Sequence, residues 1–267
     1  MKKTIPYLLL LLLVAMPLMA QKRKGQRGKE PLFGKELATY TVASESLRGA
    51  SFYLVAGHGG PDPGAIGLYQ GRPLHEDEYA YDIILRLARE LMMRGAKVEI
   101  IIQDKKDGIR DGRILPGSKR ETCMGKAIPL NQTERLRQRT AKINELFRKD
   151  KSRYKRAIFI HVDSRSESKQ TDVYFYHAKG SKNGKRLADN LKTTFAAKYR
   201  KHQPGRGFTG TVSGRNLYVL RNTSPVAVFL ELGNIRNKQD HTRLVIPNNR
   251  QALARWIADG MERDYKD

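Results

Sequence analysis

Four side chains of this 267-residue chain stand where apolar runs stop or a helix begins. His58 follows "SFYLVA" (51–56), Glu76 heads "EDEYAYDIILRLARELMMRG", His161 ends "AIFI", and Glu231 ends "VAVFL". Two imidazoles and a carboxylate form a three-ligand zinc set that leaves one coordination position for water. A further carboxylate beside such an ion supplies proton transfer, so together the four point to metal-assisted hydrolysis. Each also has a plainer role. A histidine after a strand is commonly a hydrogen-bonded structural residue, and Glu76 at a helix start favours the helix dipole. Glu231 is the hardest to explain so, because burying a carboxylate without a partner is costly. No short metal-binding pattern links the four; their spacing is dispersed. Gly57, Gly59 and Gly60 allow a tight turn around His58. Asp62 either orients a ligand or serves an Asp-Pro turn.

The elements that must position these groups follow from periodicity. Residues 51–56 read as a buried strand. Residues 76–95 read as an amphipathic helix, with Tyr79, Ile83, Ile84, Leu87 and Leu91 on one face and Gly95 as its stop. "KVEIII" (97–102) reads as the next strand, giving a β-α-β unit with a right-handed crossover. Helices are expected over 133–149, with Thr133 as N-cap, and over 184–200 and 249–265. Further strands are expected at 156–162, 171–176, 216–220 and 226–232, and a long surface loop at 104–129. The sum is an α/β fold, a single domain with a mostly parallel twisted sheet flanked by helices on both faces. In such a sheet the C-terminal ends of the parallel strands share one rim. His58, Glu76, His161 and Glu231 can meet there despite their separation in sequence.

The chain opens with Met-Lys-Lys and an apolar run, Tyr7 to Ala20, interrupted by Pro17. That run is shorter than the roughly 20 residues of a membrane span, so residues 1–20 read as a signal peptide, with an uncleaved anchor as the alternative. Residues 21–46 read as a basic flexible N-terminal arm, and 47–267 as the catalytic domain with 104–129 as a loop insertion. An apolar fraction of 39% supports one core. Cys123 is the sole cysteine, so no internal disulfide can form; it is expected to be inert. Lys and Arg number 51 against 27 Asp and Glu, a net charge of +24. Within a cell that balance would suggest nucleic acid. Export, the lack of an RNA-binding signature and basic runs without interleaved aromatics point instead to anionic wall polymers or lipid headgroups, with no nucleic acid; a merely solvated basic surface is the alternative. His75, His177, His202 and His241 read as surface or structural, and Trp256 as core.

Several stretches carry a family resemblance. "LRGASFYLVAGHGGPDPGAIG" resembles an opening strand and its G-H-G-G-x-D-P-G-A-x-G turn, and "EDEYAYDIILRLAREL" the segment with a ligand glutamate at its first position. "QRTAKIN" resembles an R-x-x-x-x-N helix, "FIHVDS" an S-I-H-A-[DN]-S strand end, and "LYVLRNTSPVAVFLELGNIRN" a segment ending E-x-G-F-x-[ST]-N. From about Leu47 to Asp267 the sequence is similar to the zinc-dependent N-acetylmuramoyl-L-alanine amidases. The resemblance implies Zn2+ held by His58, Glu76 and His161, with Glu231 as catalytic acid/base. It implies cleavage of the amide joining N-acetylmuramic acid to L-alanine in peptidoglycan. It also implies an exported protein, periplasmic or extracellular and associated with the cell wall; a monomer is expected. Val55-Ala56 stands where the family often has Asp-Pro, Asp77 where Lys is common after the ligand glutamate, and Asn234 where an apolar residue follows the catalytic one. Glu78 remains an alternative to Glu76 as ligand. The stretch between His161 and Thr171 is too short for the autoinhibitory helix of some relatives, so an open cleft is expected unless 104–129 or the basic arm covers it. Rival readings are a zinc carboxypeptidase or peptide amidase, and a non-catalytic basic wall-binding module.

Overall fold

A computed structural model describes residues 22–164, 166–168, 170 and 172–267. The signal peptide expected at 1–20 lies outside the described residues. The central sheet has six strands: β1 (Ala50–Ala56), β2 (Lys97–Ile100), β3 (Tyr154–Asp163), β4 (Tyr174–Ala178), β5 (Thr211–Arg215) and β6 (Val226–Asn234). Their order across the sheet is β5-β4-β6-β3-β1-β2. β6, β3, β1 and β2 are mutually parallel, while β4 pairs antiparallel with β6 and parallel with β5. Every residue of β1 is buried, which explains its unbroken apolar run: a strand covered on both faces has no polar side.

Among the described residues, six α-helices clothe the sheet: α1 (Glu76–Met93), α2 (Gln132–Lys149), α3 (Lys182–His202), α4 (Tyr218–Asn222), α5 (Lys238–Val245) and α6 (Pro247–Lys266). α6 packs on α1, α3 and α5, and α2 packs on α4. Three acidic residues in the first turn of α1 favour its dipole. Asn131, not Thr133, caps α2 by accepting from the Glu134 amide, as Asn does well at that position.

Three expectations are corrected. Residues expected to form a flexible arm are instead built onto the domain. Arg27–Lys29 pairs with Thr39–Thr41, Phe33 and Val42 are each 1% exposed, and the Ala43 amide donates to the Met93 carbonyl at the end of α1. A few apolar anchors suffice there, although the composition is mostly charged. Residues 104–129 are not simply a surface loop. Thr122–Cys123 pairs with Ile102–Gln103 and with Lys126–Ala127, Leu115 and Cys123 are buried, and Arg110 bonds to Glu78 on α1. Finally, 216–220 holds the start of helix α4 rather than a strand. A five-residue apolar run does not distinguish the two, and one helical turn buries both adjacent residues Val219 and Leu220. The true edge strand, β5, is "TVSGR", largely exposed and without an apolar pattern.

Candidate metal centre

β1 ends at Ala56, and the chain turns at Gly57 into His58, whose φ is 58°. That is a left-handed conformation uncommon for a residue with a side chain. Arg139 of α2 holds it, donating from Nη2 to the His58 carbonyl at 2.9 Å. Asn144, five residues on, donates to the Asn222 carbonyl and accepts from the Ser224 amide. The R-x-x-x-x-N helix therefore clamps the turn with its first residue and the approach to β6 with its last.

Glu76, 4% exposed, begins α1 and lies between the two imidazoles. Its Oε2 is 3.2 Å from His58 Nε2, and its Oε1 is 2.9 Å from His161 Nδ1. The amides of Ala65 and Val162 donate to the same carboxylate, fixing its orientation. One donor atom from each of His58, Glu76 and His161 lies within 4.8 Å of the others. Gly64 is required here: a Cβ at its φ of 71° would come within 2.7 Å of both Glu76 Oε2 and the His58 ring. The ionised Asp62 accepts from His58 Nδ1–H at 2.8 Å and pairs with Arg135 at 2.6 Å. That leaves Nε2 turned to the centre. No short motif in the sequence marks Arg135.

His161 is held between its strand neighbours. The ring of Phe229 on β6 stacks on it, with centroids 4.2 Å apart and planes at 17°. On the β1 side stands Gly57, whose amide donates to the Ile160 carbonyl. Glu231 pairs in register with His161 across β3 and β6, so both side chains leave the sheet on one face at the spacing of adjacent strands.

The electrostatics follow from this packing. Burial of the His58 ring opposes its charge, but hydrogen bonds to Asp62 and Glu76 outweigh it and hold the imidazole up at about 10. Burial drives His161 below the ordinary histidine value despite Glu76 beside it. For Glu76, burial is overcome by the two imidazoles, which hold it well below the usual carboxylate range. The donor set of two imidazole nitrogens and one carboxylate matches what zinc takes, and the carboxylate charge is one a divalent cation would compensate.

Glu78 points elsewhere, to Arg110 at 2.8 Å and to the Ser118 amide. With Asp77 and Glu121 it forms a second, fully buried carboxylate group. Burial, followed by Glu78 and Glu121, pushes Asp77 up to about 8. Glu121 accepts from the Gly60 amide and from Ser118, tying the 104–129 segment to the His58 turn. That segment buttresses the turn from behind, and His58 keeps 26% of its side chain exposed. Of the other histidines, His241 is buried and bonds to the Ile235 carbonyl, and His177 to that of Ala178.

Similarity to known proteins extends over most of the chain. The family model described as N-acetylmuramoyl-L-alanine amidase matches residues 53–263. The germination-specific N-acetylmuramoyl-L-alanine amidase of Bacillus subtilis is 26% identical over 225 residues, covering 83% of this chain and 82% of that protein. The probable cell wall amidase LytH of Staphylococcus aureus is 27% identical over 233 residues, covering 85% of this chain and 62% of LytH. The N-acetylmuramoyl-L-alanine amidase of Clostridium difficile 630 shares the fold, with a TM-score of 0.60 at 18% identity over 82% of this chain and 97% of that one. The catalytic domain of CwlV, from Bacillus (Paenibacillus) polymyxa var. colistinus, gives 0.58 at 21% identity over 81% and 98%. A match running from the middle of β1 nearly to the end of α6 takes in all four rim residues, and the chain belongs to the N-acetylmuramoyl-L-alanine amidase family.

Proposed function

We propose that this chain hydrolyses the amide between the lactyl group of N-acetylmuramic acid and L-alanine in peptidoglycan, outside the cytoplasm. His58, Glu76 and His161 hold a zinc ion, and Glu231 is the acid/base. The observation carrying this reading is the gathering of three donors within 4.8 Å beside a carboxylate in register with one of them. A zinc ion, when bound, supplies Lewis-acid polarisation of the scissile carbonyl. Glu231 takes a proton from the attacking water and delivers it to the departing nitrogen, because an amine leaves only once protonated. Asp62 holds His58 in the tautomer that keeps Nε2 for the ion. No helix among the described residues is long and apolar enough to cross a membrane.

Substituting Glu231→Gln keeps shape and removes the base. Release of stem peptides from purified sacculi should fall by about 10²–10⁴-fold, with zinc content unchanged by metal analysis. Near-native release from this variant would remove Glu231 from the role, and a purified parent chain without stoichiometric zinc would remove the metal.

A further inference from the structure

A cavity of about 760 Å³ opens between the end of α3, α5 and the start of α6, a volume typical of sites for small molecules. Trp256 forms its aromatic wall, backed by the buried Tyr199; Gln203 and Asn249 bring side-chain amides, and Arg206 and Arg255 bring charge. No acidic side chain lines it among the described residues. Trp256, expected in the core, is only partly buried; it packs edge-on to Phe195 and Tyr199 and stacks on His202. Arg206 lies over the Tyr199 ring at 4.7 Å while its guanidinium meets Asp172 at 2.6 Å. The Arg255 side chain is 58% exposed, and its ion pair to Glu90 is a long 3.4 Å. It is therefore able to turn toward a ligand.

Flat aromatic faces suit the C–H faces of pyranose rings, and amides suit hydroxyl and acetamido groups. A guanidinium fork suits a carboxylate. One wall of the cavity, α5, follows directly after β6, and its Asp240 accepts from the amide of Asn234, three residues past Glu231. Under the hydrolysis proposed above, on which this inference rests, each cleaved muramic acid gains a free lactyl carboxylate where the substrate has an amide. We propose that the cavity binds this stripped, anionic glycan, with a hexosamine ring against Trp256 and the new carboxylate on Arg255. The enzyme is thereby held on strands it has already processed.

Trp256 is the sole tryptophan of the chain, so its fluorescence reports on this cavity alone. The chain carrying Glu231→Gln is titrated with peptide-free glycan oligosaccharides bearing lactyl carboxylates, with chitin oligosaccharides of equal length, and with inorganic phosphate. Calorimetry runs in parallel. The stripped glycan should change the emission and bind about tenfold or more tighter than chitin, the worth of a charge-assisted contact. Arg255→Ala should reduce it to the chitin level while leaving peptide release from soluble muropeptides unchanged in the Glu231 background. No emission change with stripped glycan, equal binding of chitin, or equal binding of phosphate each overturns the proposal. Peptide release is scored separately. Its failure with binding intact removes the hydrolysis, and its success with a silent Trp256 removes the cavity alone.

Discussion

Replacing Gly57 by Ala places one methyl group against a ring that has nowhere to go. A Cβ built on the existing backbone would lie 2.5 Å from both Cε1 and Nδ1 of His161. Carbon contacts settle near 3.5–4.0 Å, so the imidazole must retreat by about 1 Å. Phe229 blocks the retreat, stacked at 4.2 Å on the other side. Gly57 does not have a positive φ, so alanine fits its backbone and the whole effect comes from the Cβ. A metal site tolerates about 0.2 Å in its ligand distances, and a misplacement of about 1 Å costs on the order of 10²-fold in activity. Gly57→Ala should therefore weaken zinc binding, measured by competition with a chromophoric chelator, and slow peptide release by about 100-fold. Overpacking should lower stability by roughly 1–3 kcal/mol. Adding Phe229→Leu gives the ring room, so the double variant should recover part of the zinc affinity and be far from additive. If Gly57→Ala binds zinc and turns over within about twofold of the parent, or if the two substitutions simply add, His161 is not held between two walls.

Asp62→Asn should loosen His58 and lower zinc affinity by about 10–100-fold, the usual cost of losing a partner behind a ligand, measured by the same competition. Arg250 is fully buried, bonding to Asp82 at 2.6 Å and to the carbonyls of Leu244, Arg110 and Gly112. Arg250→Met should cost about 2–4 kcal/mol in urea unfolding, because three carbonyls lose a donor and Asp82 loses one guanidinium partner while keeping Arg86; a loss below about 1 kcal/mol would contradict this. Burial works against the Asp172 charge, but Arg206, the Thr209 amide and Arg243 outweigh it and hold its carboxyl below the usual range. With the folded value depressed, its contribution is complete above about pH 4, the unfolded value, and drains away as pH falls through the folded one. Unfolding free energies should thus fall less between pH 5 and pH 3 for Asp172→Asn than for the parent.

Much of the candidate site is legible because each candidate residue sits at a break in pattern. His58, His161 and Glu231 end apolar runs, and Glu76 opens an amphipathic helix; periodicity that local places both the elements and their ends. The four parallel strands and the long helices were readable for the same reason, since burial on both faces or on one stripe writes itself into residue type. What sequence left open was decided by contacts across the chain. Glu76, rather than Glu78, stands between the imidazoles because the first turn of α1 delivers it to the amides of Ala65 and Val162, while Arg110 draws Glu78 away. Residues 22–46 join the domain through Phe33 and Val42, two anchors invisible in a basic composition. Trp256 looks like core on its helix but faces a cavity, since only the meeting of α3, α5 and α6 creates one. Strand register and helix packing are long-range properties. The chain alone specified which chemical groups were available and roughly where elements end. Tertiary structure decided which of those groups share a few ångströms, because that distance depends on partners more than a hundred residues away.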